Sequence, residues 1–111
     1  MKVYYNIEVQ MAGMCKMTDD ILSKVTHTIG VDYTDYDEIE TYSAVMFFGS
    51  EVKPSEMRER VRECLRKAEN IHYIDVVYRW DKEFNADRFV IWGDCHEQDY
   101  TGHMVYEEDR V

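Results

Sequence analysis

Residues 42–80 most limit how this chain can fold, because their pattern predicts a strand, a helix and a second strand. The helix is indicated by apolar residues at helical spacing, which make one stripe: Met57, Val61, Cys64, Leu65 and Ala68. Pro54 suits a first helical position, and Asn70 suits a left-handed stop. Residues 42–48 are apolar on both sides and predict an inner strand, while residues 71–80 predict a second strand. The stripe must therefore be buried against a sheet.

The other elements complete an ordered α+β pattern. Residues 3–10 alternate as a strand, and a helix is predicted from Thr18 as N-cap to Gly30 as stop. Residues 31–49 predict two extended pieces about an acidic bend near residues 35–38. Two further strands, at 88–92 and 103–107, are predicted to form a hairpin around the loop 93–102.

This order predicts a ferredoxin-like split βαβ (βαββαβ) two-layer sandwich with a C-terminal β-hairpin extension. The length of 111 residues suits a single domain, 1–111. Its core is predicted at 1–80 and the extension at 86–108.

Charge is both unbalanced and segregated. The chain has 23 acidic against 13 basic residues, a net charge of −10, which disfavours direct binding to nucleic acid or to a membrane surface. Neither Lys nor Arg occurs between Lys24 and Lys53. Five of the basic residues belong to the predicted second helix: Arg58, Arg60, Arg62, Arg66 and Lys67.

The cysteines and the motif content point away from secretion and catalysis. Cys15, Cys64 and Cys95 have no CxxC spacing, and an odd number favours a reducing cytoplasm over a disulfide framework. Cys64 lies on the apolar stripe and is predicted to be core. With no phosphate loop and no catalytic motif, we expect a non-enzymatic protein without a cofactor.

One loop concentrates metal-type side chains. Cys95, His96 and His103 could ligate zinc if the loop folded back on the second strand of the hairpin. Adjacent Cys and His are poor ligand spacing, so a solvated loop is the favoured interpretation. A metal-dependent hydrolase using the 94–103 loop is kept as a second alternative function.

The segment 32–42, DYTDYDEIETY, combines carboxylates with tyrosines, the composition needed to occupy a basic groove on another protein. The residues predicted to bind a partner are Asp32, Tyr33, Asp35, Tyr36, Asp37, Glu38 and Glu40. The plain alternative is a solvated loop whose tyrosines pack on the sheet.

In size, acidity and lack of motifs the chain is similar to phage and mobile-element inhibitors of bacterial defence, including anti-CRISPR proteins. That resemblance implies inhibition of a larger, basic, nucleic-acid-binding protein.

A different class of function would use the sheet. A single-sheet split βαβ domain leaves one face uncovered, and Tyr4, Tyr73 and Val77 are predicted to lie there. This makes a dimeric ligand-sensing regulatory domain the first alternative, with a homodimer as its assembly. RNA binding on such a sheet is disfavoured, because the basic and glycine pattern of RNA-recognition motifs is missing.

Overall fold

A computed structural model describes residues 2–31 and 36–104. Eight elements follow one another along the chain: β1 (Val3–Met11), α1 (Asp19–Ile29), β2 (Tyr36–Ile39), β3 (Ser43–Ser50), α2 (Pro54–Lys67), β4 (Ile71–Trp80), β5 (Asn85–Trp92) and β6 (Glu97–Met104). Neither helix has the length and apolar character that a membrane crossing would require within these described ranges. The predicted α+β class is confirmed.

The described strands form one sheet in the order β2-β3-β1-β4-β5-β6, with every neighbouring pair antiparallel. The central strand β1 pairs with β3 and β4, so that Ile7 lies opposite both Met46 and Val76. The two outer strands are β2 and β6. Residues 36–39 of the acidic segment and the polar strand β6 therefore lie at opposite edges of the sheet.

Both helices pack on one face of the sheet. The alternate residues of β1 that begin at Val3 are buried, and those that begin at Tyr4 are exposed or half-buried. The buried set joins Leu22, Val25 and Ile29 of α1 and the α2 residues Met57, Val61 and Cys64 in one core. Burying these apolar faces against each other supplies the main stabilising free energy of the fold.

The helix ends follow their local sequence. Thr18 is the N-cap of α1 and its hydroxyl accepts the N–H of Ile21 at 3.2 Å, while Gly30 ends the helix in a left-handed conformation at φ 86°. Pro54 begins α2, as predicted. Asn70 is left-handed at φ 67°, but it lies in the turn before β4, since α2 ends at Lys67 with an extended Ala68 as its cap.

Two boundaries predicted from the sequence are wrong. The chain reverses at 40–42, because residues 36–39 pair with β3 instead of forming the bend. The last strand spans Glu97–Met104 and not 103–107, so most of the predicted 93–102 loop is strand. Its polar residues concealed it, since an edge strand shows little apolar alternation. Residues 105–108 of the predicted extension lie outside the described residues.

Candidate protein-binding site

The predicted partner-binding segment leads into and follows the edge strand β2. Asp32, Tyr33 and Asp35 lie outside the described residues. For Tyr36, Asp37 and Glu38 the structure describes the backbone, which makes up most of β2. Glu40 is exposed just after that strand.

A tight turn fixes the position of Glu40. Its backbone N–H donates to the carbonyl of Ser43 at 2.8 Å, which joins the end of β2 to the start of β3. The turn is also bonded to the rest of the domain, because Met11 donates to the carbonyl of Tyr42 at 2.9 Å and Met17 to that of Thr41 at 2.8 Å. The carboxylate of Glu40 thus projects from a well-anchored backbone.

A shallow depression lies beside this turn. It is lined by Gln10, Ile39, Glu40, Thr41, Tyr42 and Ser43. Ile39 is an exposed apolar residue, 46% accessible, and it directly precedes the carboxylate of Glu40. An apolar wall next to a carboxylate suits an arginine or lysine, whose stem packs on apolar surface while its charged head bonds to the acid.

The arginines on the face of α2 toward β6 are bonded to carboxylates of the same molecule and are not free to bind a partner. Arg62 donates to Glu97 from Nε at 2.6 Å and from Nη2 at 2.9 Å, and Arg58 donates to the same carboxylate at 3.1 Å. Arg58 also bonds to Asp99 and lies 4.3 Å from the centre of the Phe89 ring. Hydrogen bonds from Arg62, and then from Arg58, hold the pKa of the Glu97 carboxyl below its usual range.

The remaining basic residues of α2 pair along the helix. Arg60 pairs with Glu56 at 3.2 Å and donates to the carbonyl of Ile29 at 2.7 Å, at the C-terminus of α1. Arg66 and Lys67 share Glu63 at 2.5 and 3.6 Å. Every basic residue of α2 therefore has a carboxylate partner within the molecule.

Sequence reasoning missed the role of Glu97 and Asp99, which it assigned to a loop. They lie opposite Ile91 and Phe89 of β5 and so project to the helix side of the sheet. Two signals could have revealed them. Glu97 and Asp99 have the i, i+2 spacing of one strand face, and Arg58 and Arg62 have the i, i+4 spacing of one helix face.

The metal candidates are separated by the hairpin geometry. Cys95 is exposed at φ 72° in the β5–β6 turn, and His96 packs edge-on against Trp92 at 5.5 Å between ring centres. His103 belongs to β6, where only its backbone is described. Within residues 2–31 and 36–104 no three His, Cys, Asp or Glu side chains are grouped as ligands for a metal ion.

Cys64 is buried in the core, as predicted, and its Sγ lies 3.8 Å from the carbonyl oxygen of Val25. Burial raises the pKa of its thiol to about 12. A groove between the helices passes over it, with Lys24 and Lys67 on the rim. Each lysine has a carboxylate neighbour, so the groove has no concentrated positive charge.

Comparison with protein-family models, with curated proteins and with solved structures finds no match to this chain.

Proposed function

We propose that this chain is a non-enzymatic interaction protein that inhibits a larger, nucleic-acid-binding protein by occupying its basic surface. Such an activity is the kind that phage and mobile elements use against bacterial defence. The β2 edge and the segment 32–40 make the contact, through Asp32, Tyr33, Asp35, Tyr36, Asp37, Glu38 and Glu40.

The pairing of the α2 cations supports this proposal most strongly. Arg58 and Arg62 are turned inward to Glu97 and Asp99, so the strongest concentration of positive charge is neutralised within the molecule. The excess of carboxylates that gives the chain its net charge of −10 therefore lies away from this paired region. A partner with a basic groove is steered toward such a surface and is held by carboxylates at fixed positions.

The geometry around β2 supports a contact at the sheet edge. Ile39 and Glu40 sit next to each other on a turn held by three backbone hydrogen bonds, so little ordering is needed on binding. Arginine from the partner would lay its stem on Ile39 and bond to Glu40. An edge strand also leaves backbone groups on its outer side for a partner's extended segment.

We further infer that the unit from β1 to β4 follows the ferredoxin-like split βαβ plan. The order β2-β3-β1-β4, its antiparallel neighbours and two helices on one face support this. The strands β5 and β6 extend the sheet beyond β4, which the plan itself does not include.

A tagged pull-down from a bacterial lysate, repeated after nuclease treatment, tests the function. We expect one nucleic-acid-handling protein to be retained in both samples and to be released by salt. The variant Asp35→Asn, Asp37→Asn, Glu38→Gln, Glu40→Gln should lose it. Retention by this variant at unchanged affinity would contradict the proposal.

The matched control removes the same charge elsewhere. It changes four exposed carboxylates to their amides: Asp20→Asn, Glu69→Gln, Asp81→Asn and Glu83→Gln. This control should keep the partner, because it leaves the β2 edge intact. If both variants lose it equally, then net charge and not the site is responsible.

A further inference from the structure

The face of the sheet opposite the helices carries a broad band of aromatic side chains. The register places these residues on that face: Tyr4, Phe47, Tyr73, Trp92 and Tyr100. Tyr4, Phe47 and Tyr100 are each 37–38% accessible, and neither helix covers them. Val45 and Val77, both half-buried, add apolar surface between them. An exposed apolar face of this kind marks an interaction site.

The charged side chains on this face include Lys2, which lies against Gly49, and the pair of Arg88 and Asp75, which satisfy each other. Arg88 bonds to both carboxylate oxygens of Asp75, at 2.9 and 2.8 Å, and stacks 5.1 Å from the Tyr100 ring centre. This bidentate pair contributes no net charge to the face. The pair joins β4, the middle strand of the band, to its neighbour β5.

The described residues leave Arg79 and Glu8 without an oppositely charged partner. Arg79 lies 4.8 Å from the ring centre of Tyr4 and reaches only the carbonyl of Glu83, at 3.3 Å. Glu8 accepts the hydroxyl of Tyr73 at 3.2 Å. Arg79 lies opposite Tyr4, and Glu8 is four residues further along β1. The charges of Arg79 and Glu8 are therefore roughly 13 Å apart along the strands.

We infer that this face binds the same face of a second copy of the chain. Residues opposite one another on neighbouring strands form a row across the sheet. A two-fold axis perpendicular to the strands, along the row of Asn6 and Val77, sets the row of Arg79 in one copy against the row of Glu8 in the other. Each Arg79 then meets the carboxylates of its partner, which gives two charge pairs per dimer. The same axis brings Phe47 and Tyr100 against their own copies, and it places each Arg88 beside the other, where its Asp75 neutralises it.

The charge pattern favours this occupant over a nucleic acid. Aromatic side chains on a sheet can stack bases, but the chain carries a net charge of −10 and Glu8 on this face has no cationic partner among the described residues, so a phosphate backbone would be repelled. The face spans about five strands by four rows, roughly 500 Å² per copy and roughly 1,000 Å² per dimer. That area is near the lower limit of specific interfaces, so we expect a dissociation constant in the micromolar range.

The dimer and the proposed inhibitor function use different surfaces and respond oppositely to salt. Each copy carries a net charge of −10, and the repulsion between two such copies exceeds the attraction of two charge pairs, so screening by salt tightens the dimer. The same salt weakens a contact between the β2 edge and a basic partner. Failure of one proposal therefore leaves the other standing and can be told apart from it.

Sedimentation equilibrium on the full chain, with charge-reversal variants, tests the dimer. Arg79→Glu and Glu8→Arg should each weaken association about tenfold or more, because each places like charges together. The double variant with both changes should recover the dimer. Lys24→Glu makes the same charge change on α1, on the far side of the sheet, and should leave association unaffected apart from a small effect of net charge.

Three results would overturn the inference. They are a wild-type chain that stays monomeric at hundreds of micromolar, a dimer that neither reversal weakens, and a double variant that stays monomeric although its circular dichroism matches wild type. Quenching of the Tyr and Trp fluorescence of monomeric protein by a single-stranded oligonucleotide would instead assign the face to nucleic acid.

Discussion

The guanidinium of Arg62 and the carboxylate of Glu97 form a two-point contact, Nε to Oε2 at 2.6 Å and Nη2 to Oε1 at 2.9 Å, across 35 positions of the chain. Glu97 is the first residue of β6 and Arg62 lies in the middle of α2. Arg58 joins the same carboxylate from the preceding turn of the helix. This contact fastens the outer strand β6 to the helix layer.

Replacing Glu97 by Gln should destabilise the domain by about 1 kcal/mol, a discounted value because the group is partly exposed to solvent. The neutral amide cannot bond to two guanidinium groups with the same strength. We expect the thermal midpoint to fall by roughly 4 °C in calorimetry. Glu69→Gln, in the exposed turn before β4, is the matched control and should change the midpoint little. Equal midpoints for the two variants would refute a stabilising role for the Arg62–Glu97 contact.

Acid should release the same contact. The pKa of Glu97 is lower in the folded chain than its ordinary value of 4.5, so the unfolded chain takes up the proton first as pH falls. The stability that Glu97 contributes is therefore fully present above about pH 4.5 and is lost below it. Urea unfolding at pH 6 and at pH 3 should show a smaller loss of free energy for Glu97→Gln than for wild type. The same loss in both proteins would mean that other carboxylates account for the acid sensitivity.

How much of this fold the sequence predicts depends on how local each signal is. The first helix is predicted from end to end, because each cap acts on a near neighbour, Thr18 on Ile21 and Gly30 on Thr26. Strand β6 is not, because Glu97 and Asp99 are fixed by arginines more than 30 positions away. A charged residue in an edge strand resembles a loop residue until its partner in space is known.

The candidate site shows the same division. The acidic character of residues 32–40 is evident from composition, but the position of residues 36–39 at a sheet edge follows from the strand order, which no local pattern encodes. In the sequence, Arg58 and Arg62 have only the i, i+4 spacing of one helix face. Pairing with β6 leaves both half-buried and neutralises their charge, so the unpaired charge lies on other parts of the molecule.

The thiols of Cys95 and Cys64 should differ strongly in reactivity. Cys95 is exposed in the β5–β6 turn, whereas Cys64 is buried with its pKa raised to about 12. Since the thiolate is the reacting species, iodoacetamide at pH 8 should label Cys95 at least about a hundredfold faster than Cys64. Peptide mass spectrometry over a time course measures both rates in one sample. In denaturant the two rates should converge, and equal rates in the native protein would contradict the burial of Cys64.

Gly93 lies where a side chain has no room. A Cβ built on it would come 2.5 Å from the carbonyl oxygen of Ile71, which is backbone of β4 and cannot move aside as a side chain could. The N–H of Gly93 also donates to the carbonyl of His72 at 2.9 Å, which joins the start of the β5–β6 turn to β4. Gly93→Ala must therefore displace the backbone, and we expect it to cost about 2 kcal/mol of unfolding free energy.

Gly13→Ala is the control for that substitution, because Gly13 has a left-handed φ of 57° but nothing within 4 Å of an added Cβ. It should cost about 1 kcal/mol, from the backbone conformation alone. Urea unfolding of both variants separates the steric effect from the conformational one. If Gly93→Ala proved no more costly than Gly13→Ala, then β4 and the β5–β6 turn would be less closely packed than the Ile71 contact requires.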